Sequence, residues 1–313
     1  MRGTLVVLGE VRTCLLPAMA AVNRAEANDL LALMPGRVVR WKERPGRLAI
    51  SPALAVGVDC NLTAGTGTPR IVGTVATNAT LVGGRILQSS SHTRVVRATE
   101  RQRQTWSHYI SQKGVTELIG PLPERDTAPE DLTEGYLAAR AEEDSLDLAT
   151  ITARLLSRIT ADARLDHQPP LQARTTRLRW AARIGGSSGP SATMLVDDEE
   201  VRSIRLVLRE ADDLDAAQRF CEDLAAHDWL LTTLVDILEE ADRYPSASRE
   251  RREILAPALE HLTGLWMPGG HTPAATRTLW KELQNEPGFT RQWTTLVSSL
   301  RDNIAVATLA ALR

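Results

Sequence analysis

The residues of this chain best placed to do chemistry lie in Glu222-Asp223-Leu224-Ala225-Ala226-His227-Asp228-Trp229-Leu230-Leu231. Asp223 and His227 are one helical turn apart, and Asp228 takes a position where 3-4 spacing asks for an apolar residue. A carboxylate and an imidazole entering a helical bundle together suit a metal or acid–base site. A metal would need ligands from a second helix, and His261 is the one obvious helical candidate. An interaction hot spot is a further reading. The simplest expectation is a polar core without metal, in which Asp223, His227 and Asp228 are hydrogen-bonded. Asp228 is then mostly buried against an Arg, a Trp or a backbone donor.

Other nucleophile and phosphate signals are weaker. Trp106-Ser107-His108-Tyr109 sets a hydroxyl beside an imidazole, but a nucleophile–base pair needs convergence from different elements. Cys60 ends an apolar run and reads as a small core residue. Thr63-Ala64-Gly65-Thr66-Gly67-Thr68-Pro69 lacks the Gly-Lys-Ser/Thr of a phosphate loop and leads into a strand. An enzyme would have to assemble Cys60, His108, His227 or Asp228 in one cleft. No catalytic residue and no cofactor are expected.

Charge is distributed unevenly. Residues 1–120 hold 15 Lys and Arg against 7 Asp and Glu, while residues 121–313 hold 22 against 32. Arg85, Arg94, Arg97, Arg101 and Arg103, with Trp106 and His108, form one basic and aromatic cluster; Arg37, Arg40, Lys42, Arg44 and Arg47 around Trp41 form a second. Such clusters can bind phosphates and stack bases, or dock an acidic protein surface, the acidic half of this chain included. They can equally be solvated arginines on a sheet face. With 34 Arg and only 3 Lys, the bias fits a GC-rich genome as well as selection for Arg chemistry.

The elements that must position these residues are of mixed type. Leu5, Val7, Val11 and Leu15 alternate as a strand over 4–16, Asn23 caps a helix over 24–34, and a second extended piece follows at 38–43. Gly83-Gly84 joins two β-prone runs as a hairpin. Residues 101–119 are expected to leave the sheet as a short helix. The Pro- and acid-rich stretch 121–145 reads as a linker, and a helix follows over about 145–165. Leu178, Trp180, Ala182 and Ile184 alternate with Arg177, Arg179 and Arg183, opening a three-stranded meander that ends at Arg209. From Leu214 the period is helical to the end, with Pro273 at a helix start and Phe289, Trp293, Leu296, Leu300, Ile304 and Leu312 on one stripe. The fold expected is α+β: a mainly antiparallel β-rich basic domain over 1–120, a linker over 121–145, and over 146–313 a helix, a small β-meander and a C-terminal helical bundle. Cys14, Cys60 and Cys221 are far apart in sequence and suggest neither disulfides nor zinc. Glu10 and Arg12 interrupt the apolar start well short of a signal peptide, so a cytoplasmic protein is expected.

Several segments together carry a resemblance. Val7-Leu8-Gly9-Glu10-Val11-Arg12-Thr13-Cys14, Gly57-Val58-Asp59-Cys60, Arg103-Gln104-Thr105-Trp106-Ser107-His108-Tyr109, Thr176-Arg177-Leu178-Arg179-Trp180 and His227-Asp228-Trp229-Leu230-Leu231 resemble an uncharacterised family of actinobacterial cytoplasmic proteins. The resemblance spans most of residues 5–240. Members of that family sit in gene neighbourhoods with a variant P-loop protein and a methyltransferase-like protein. The resemblance therefore implies an adaptor subunit of a multi-protein system with a P-loop NTPase-like partner, and no catalytic residues to carry over. A nucleic-acid or nucleotide binder using the Arg-rich N-terminal surface is the alternative.

Overall fold

A computed structural model describes residues 3–63, 69–99, 102–120, 127–138, 144–185, 190–196 and 201–311. Among these described residues ten strands form one mostly antiparallel sheet: β1 (Thr4–Leu15), β2 (Arg40–Lys42), β3 (Leu48–Ile50), β4 (Leu54–Asn61), β5 (Arg70–Val82), β6 (Ile86–Arg97), β7 (Val115–Ile119), β8 (Thr176–Ile184), β9 (Ser191–Val196) and β10 (Val201–Leu208). Their order is β2-β3-β5-β7-β6-β1-β8-β10-β9, with β4 paired to β5. Side chains alternate between the two faces, and the long central strands β1, β5 and β6 are buried on both. Helices α1 (Arg24–Leu31), α3 (Ala128–Ala138) and α4 (Leu148–Thr160) cover one, and α5 (Leu214–Ala241), α6 (Arg249–Leu262), α7 (Leu279–Asn285) and α8 (Phe289–Ala311) cover the other. The short α2 (Trp106–Ile110) lies against β4 and β5.

Local chemistry explains many of these elements. Asn23 caps α1 through its side chain, and Glu26 returns to the Asn23 N–H at 2.7 Å, a complete capping box. Gly83 and Gly84, at φ +60° and +73°, make the tight β5–β6 hairpin. Where β5 and β6 splay apart, β7 is wedged between them, antiparallel to β5 and parallel to β6. Gly73 permits the approach, since a Cβ there would lie 2.2 Å from the Val115 carbonyl oxygen. Thr74 patches the split by donating to the Gln112 carbonyl and accepting from the Gly114 N–H, each at 2.9 Å.

The architecture is α+β, but four local expectations are corrected. Residues 101–119 do not leave the sheet for good: after α2 the chain returns as β7. Part of the expected linker is a packed helix, because α3 buries Leu132, Tyr136 and Leu137; residues 121–126 and 139–143 lie outside the described residues. Strands β8, β9 and β10 are no meander, since β10 lies between the other two and runs parallel to β8, and β8 joins β1. Pro273 precedes a 3₁₀ turn at Ala274–Thr276, and the helix proper, α7, starts only at Leu279. The acidic loop 197–200 and Leu312 lie outside the described residues.

The arginine face of β8 is covered by an acidic helix. Arg183 pairs with Glu130, and Arg205 of β10 with Glu130 and Glu134 of α3. Arg179 lies over the Tyr136 ring at 5.6 Å, and Arg177 holds the fully buried Glu10 with two bonds of 2.9 and 3.2 Å. On the opposite face of β8, Trp180 lies across Gly9 of β1, where an added Cβ would fall 2.2 Å from the ring. Among the described residues no helix is long and apolar enough to cross a membrane.

Candidate functional site

A polar seam runs through the middle of the molecule, between the sheet and α5. The register β5–β6 places Asn78 opposite Ser90 and Thr80 opposite Gln88, so these side chains share the face that meets α5. Gln88 donates to the Glu222 carbonyl at 2.8 Å, and Gln218 bridges Asn78 and the Glu222 carboxylate at 2.7 Å each. Arg219 also pairs with Glu222. Burying so many polar groups is tolerated only because they satisfy one another.

Deeper along α5, Asp223 and His227 clamp the loop 267–272. His227 Nε2 accepts the Met267 N–H at 3.0 Å, so Nδ1 carries the proton and donates to the Asp223 carbonyl at 2.6 Å. Burial pushes this imidazole down to about 4, so it is neutral. The Asp223 carboxylate accepts from the Thr272 hydroxyl at 2.6 Å, and that hydroxyl accepts from Trp280 Nε1 at 2.8 Å. Burial raises the Asp223 carboxyl. A cavity of about 20 Å³ is lined by this cluster together with His271, Gln88 and Thr80. It has room for one water-sized group and none for a substrate.

Asp228 faces the other way, into an open groove of about 800 Å³. It is 7% exposed, and Arg202 Nε of β10 stands 3.0 Å from its Oδ1. Burial outweighs the attraction of Arg202 and Arg174 and pushes the carboxyl up to about 6. Arg174 is itself closed on Asp236 at 2.9 Å. The 3-4 seam expected of α5 is wider than a stripe: every residue from Phe220 to Leu234 is buried, because α5 lies between the sheet and the other C-terminal helices.

The N-terminal candidates are dispersed. Arg85 donates to the Met19 carbonyl at 3.2 Å. Arg94 projects from β6 onto Asp215 at the start of α5, a contact between the basic and acidic halves of the chain. Arg97 is partly buried at the end of β6, and Arg101 lies outside the described residues. Arg103 pairs with Asp59 at 3.0 Å and stacks on Trp106 at 5.2 Å, while the Trp106 ring packs on Gly57. His108 bonds Glu117 at 2.9 Å, and Ser107 bonds Thr105 at 2.8 Å, so no Ser–His pair forms. Cys60 is pushed up to about 11, by burial first and then by Asp59, which disfavours a thiolate. Among the described residues each of these groups has its own partner: Cys60 lies beside Asp59, His108 bonds Glu117, His227 bonds the Met267 N–H and Asp228 pairs with Arg202.

The second basic cluster keeps its charge on the surface. Arg37, Arg40, Lys42, Arg44 and Arg47 are all exposed, on and around β2, the terminal strand of the sheet. Trp41 is held in place: its Nε1 donates to Asn28 at 2.7 Å and Arg24 covers its ring at 5.2 Å.

Sequence reasoning missed Asn78, Gln88, Gln218 and the Glu10–Arg177 pair. Polar residues inside β-runs carried no periodic signal, and only the strand register brings them under α5 or together. Among the described residues no group of three or more His, Cys, Asp and Glu side chains is placed to hold a metal ion. No family model, curated protein or solved structure matches the chain.

Proposed function

We propose that the protein is a non-catalytic interaction subunit that docks an acidic protein partner against the β2 edge of its sheet. The observation that carries this reading is the set of five exposed cations, Arg37, Arg40, Lys42, Arg44 and Arg47, on a terminal strand with Glu43 as the one acid among residues 37–47. Cations on an edge repel basic strands, make burial against an apolar strand costly, and select a partner that brings negative charge. Trp41 is committed to Asn28 and Arg24, so the base stacking that a nucleic acid would use is closed there. The groups able to do chemistry are spent on one another: His227 on the 267–272 loop, Asp228 on Arg202, His108 on Glu117. The family resemblance points to a P-loop NTPase-like protein as the partner, in the cytoplasm.

The test compares the wild type with Arg40→Glu/Lys42→Glu/Arg44→Glu. Proteins retained from native extract are identified by mass spectrometry, and the purified partner is then titrated at low and moderate salt. Binding should weaken with salt and be lost in the triple variant. Equal binding of the purified partner to both forms refutes the reading. Salt-dependent binding of a DNA or RNA strand, lost in the same variant, would support the alternative of a nucleic-acid binder.

A further inference from the structure

We propose that the groove at the opposite end of the sheet binds an extended, Lys- or Arg-bearing segment of a partner protein, added beside β9 as a further strand. This goes beyond the β2 reading and rests on different residues. Among the described residues strand β9 is terminal, paired only with β10. The Ala192 N–H points away from β10, since it donates to Glu282 of α7 at 2.9 Å. The period of two then turns the Met194 N–H and C=O to the same outer edge. Met194 lines the groove of about 800 Å³, whose other side is the α7–α8 turn.

Its charge selects the occupant. Arg202 is closed on Asp228 and Arg174 on Asp236, which leaves on the wall Glu286, and Glu282 beyond its bond to the Ala192 N–H, with no ion pair among the described residues. The groove is therefore net acidic and calls for a cation. Its floor is apolar at Leu231 and at Val235, the latter 38% exposed. Main-chain bonds to the edge, apolar contacts at alternate positions and a cation beside the acidic turn are together the requirements of strand addition by a basic peptide. An anionic strand would meet Glu282 and Glu286 with like charge.

The probe is a fluorescent, end-blocked octapeptide of alternating Lys and Val, read by anisotropy on the full chain. Saturable binding is expected for it and not for the Glu/Val counterpart. Because the backbone of an added strand bonds at every second residue, N-methylation of the peptide at positions of one parity should weaken binding about tenfold or more, and at the other parity should leave it unchanged. Glu286→Lys, on an exposed turn, should weaken it about tenfold. Arg40→Glu/Lys42→Glu/Arg44→Glu should leave it intact, which separates this proposal from the β2 reading. No saturable binding, equal binding of both peptides, indifference to N-methyl parity, or loss in the β2 variant would each overturn it.

Discussion

The buried carboxylate of Asp228 makes stability depend on pH in a direction opposite to that of an ordinary salt-bridged Asp. Its carboxyl is pushed from the ordinary 3.8 up to about 6 by burial, against the pull of Arg202 and Arg174. Between those two values the unfolded chain has lost this proton while the folded chain keeps it. The folded state binds more protons, so stability falls as pH rises through this window. At 1.36 kcal/mol per tenfold change in proton affinity, the whole window is worth about 3 kcal/mol. Asp228→Asn removes the titration. Urea unfolding followed by tryptophan fluorescence, from pH 4 to 7, should show the stability of the variant relative to the wild type rising by about 2 kcal/mol, the part of the window that this range spans. His92 and His227, pushed down to about 4 by burial, act oppositely: they cost stability as pH falls from 6.5 toward 4. They are present in both proteins and cancel in the difference. Curves that stay parallel across the range would refute the reasoning.

Two further substitutions probe the packing. Gly9→Ala drives a methyl into the fully buried Trp180 ring, and overpacking of this kind should cost about 1–3 kcal/mol or more in a thermal melt; an unchanged melting temperature would mean that the ring is free to move. Glu10→Gln and Arg177→Met each break the bidentate pair buried between β1 and β8. Each alone should cost about 1–3 kcal/mol, since Arg177 is partly exposed and Arg12 also stands 3.7 Å from Glu10, and the double variant clearly less than the sum, because the second change removes the charge that the first left short of a partner. Strictly additive losses in a double-mutant cycle would show that the two side chains do not act together.

What could be read from the sequence was local. Asn23 with Glu26, Gly83-Gly84 and the alternation from Arg177 to Ile184 each carry their geometry within a few residues, and the helix, hairpin and strand follow. The order of strands is set by partners far apart in the chain, and here expectation failed. Nothing in Val115–Ile119 announces that it fills the gap between β5 and β6, nor in Val201–Leu208 that it lies parallel to β8. Residues 128–138 look like a linker because their acids are conspicuous; once the sheet exists, those acids meet Arg183 and Arg205 and the helix packs. At the candidate sites, the burial of Asp228 and its need for an Arg, a Trp or a backbone donor follow from an acid in an apolar helical register; Arg202 fills that role. The seam of Asn78, Gln88 and Gln218 arises only when register places polar residues from two strands beneath α5.

Strand β1 has consequences for how the chain is made. It lies in the middle of the sheet between β6 and β8, meeting β8 at pairs such as Val7–Ala182 and Thr13–Thr176. At synthesis rates of about 5–20 residues per second, β1 leaves the ribosome roughly ten to thirty seconds before the strand that covers its second edge. Until then Gly9 has no Trp180 above it and Glu10 no Arg177. A nascent chain that stalls before residue 176 carries an open, apolar central strand.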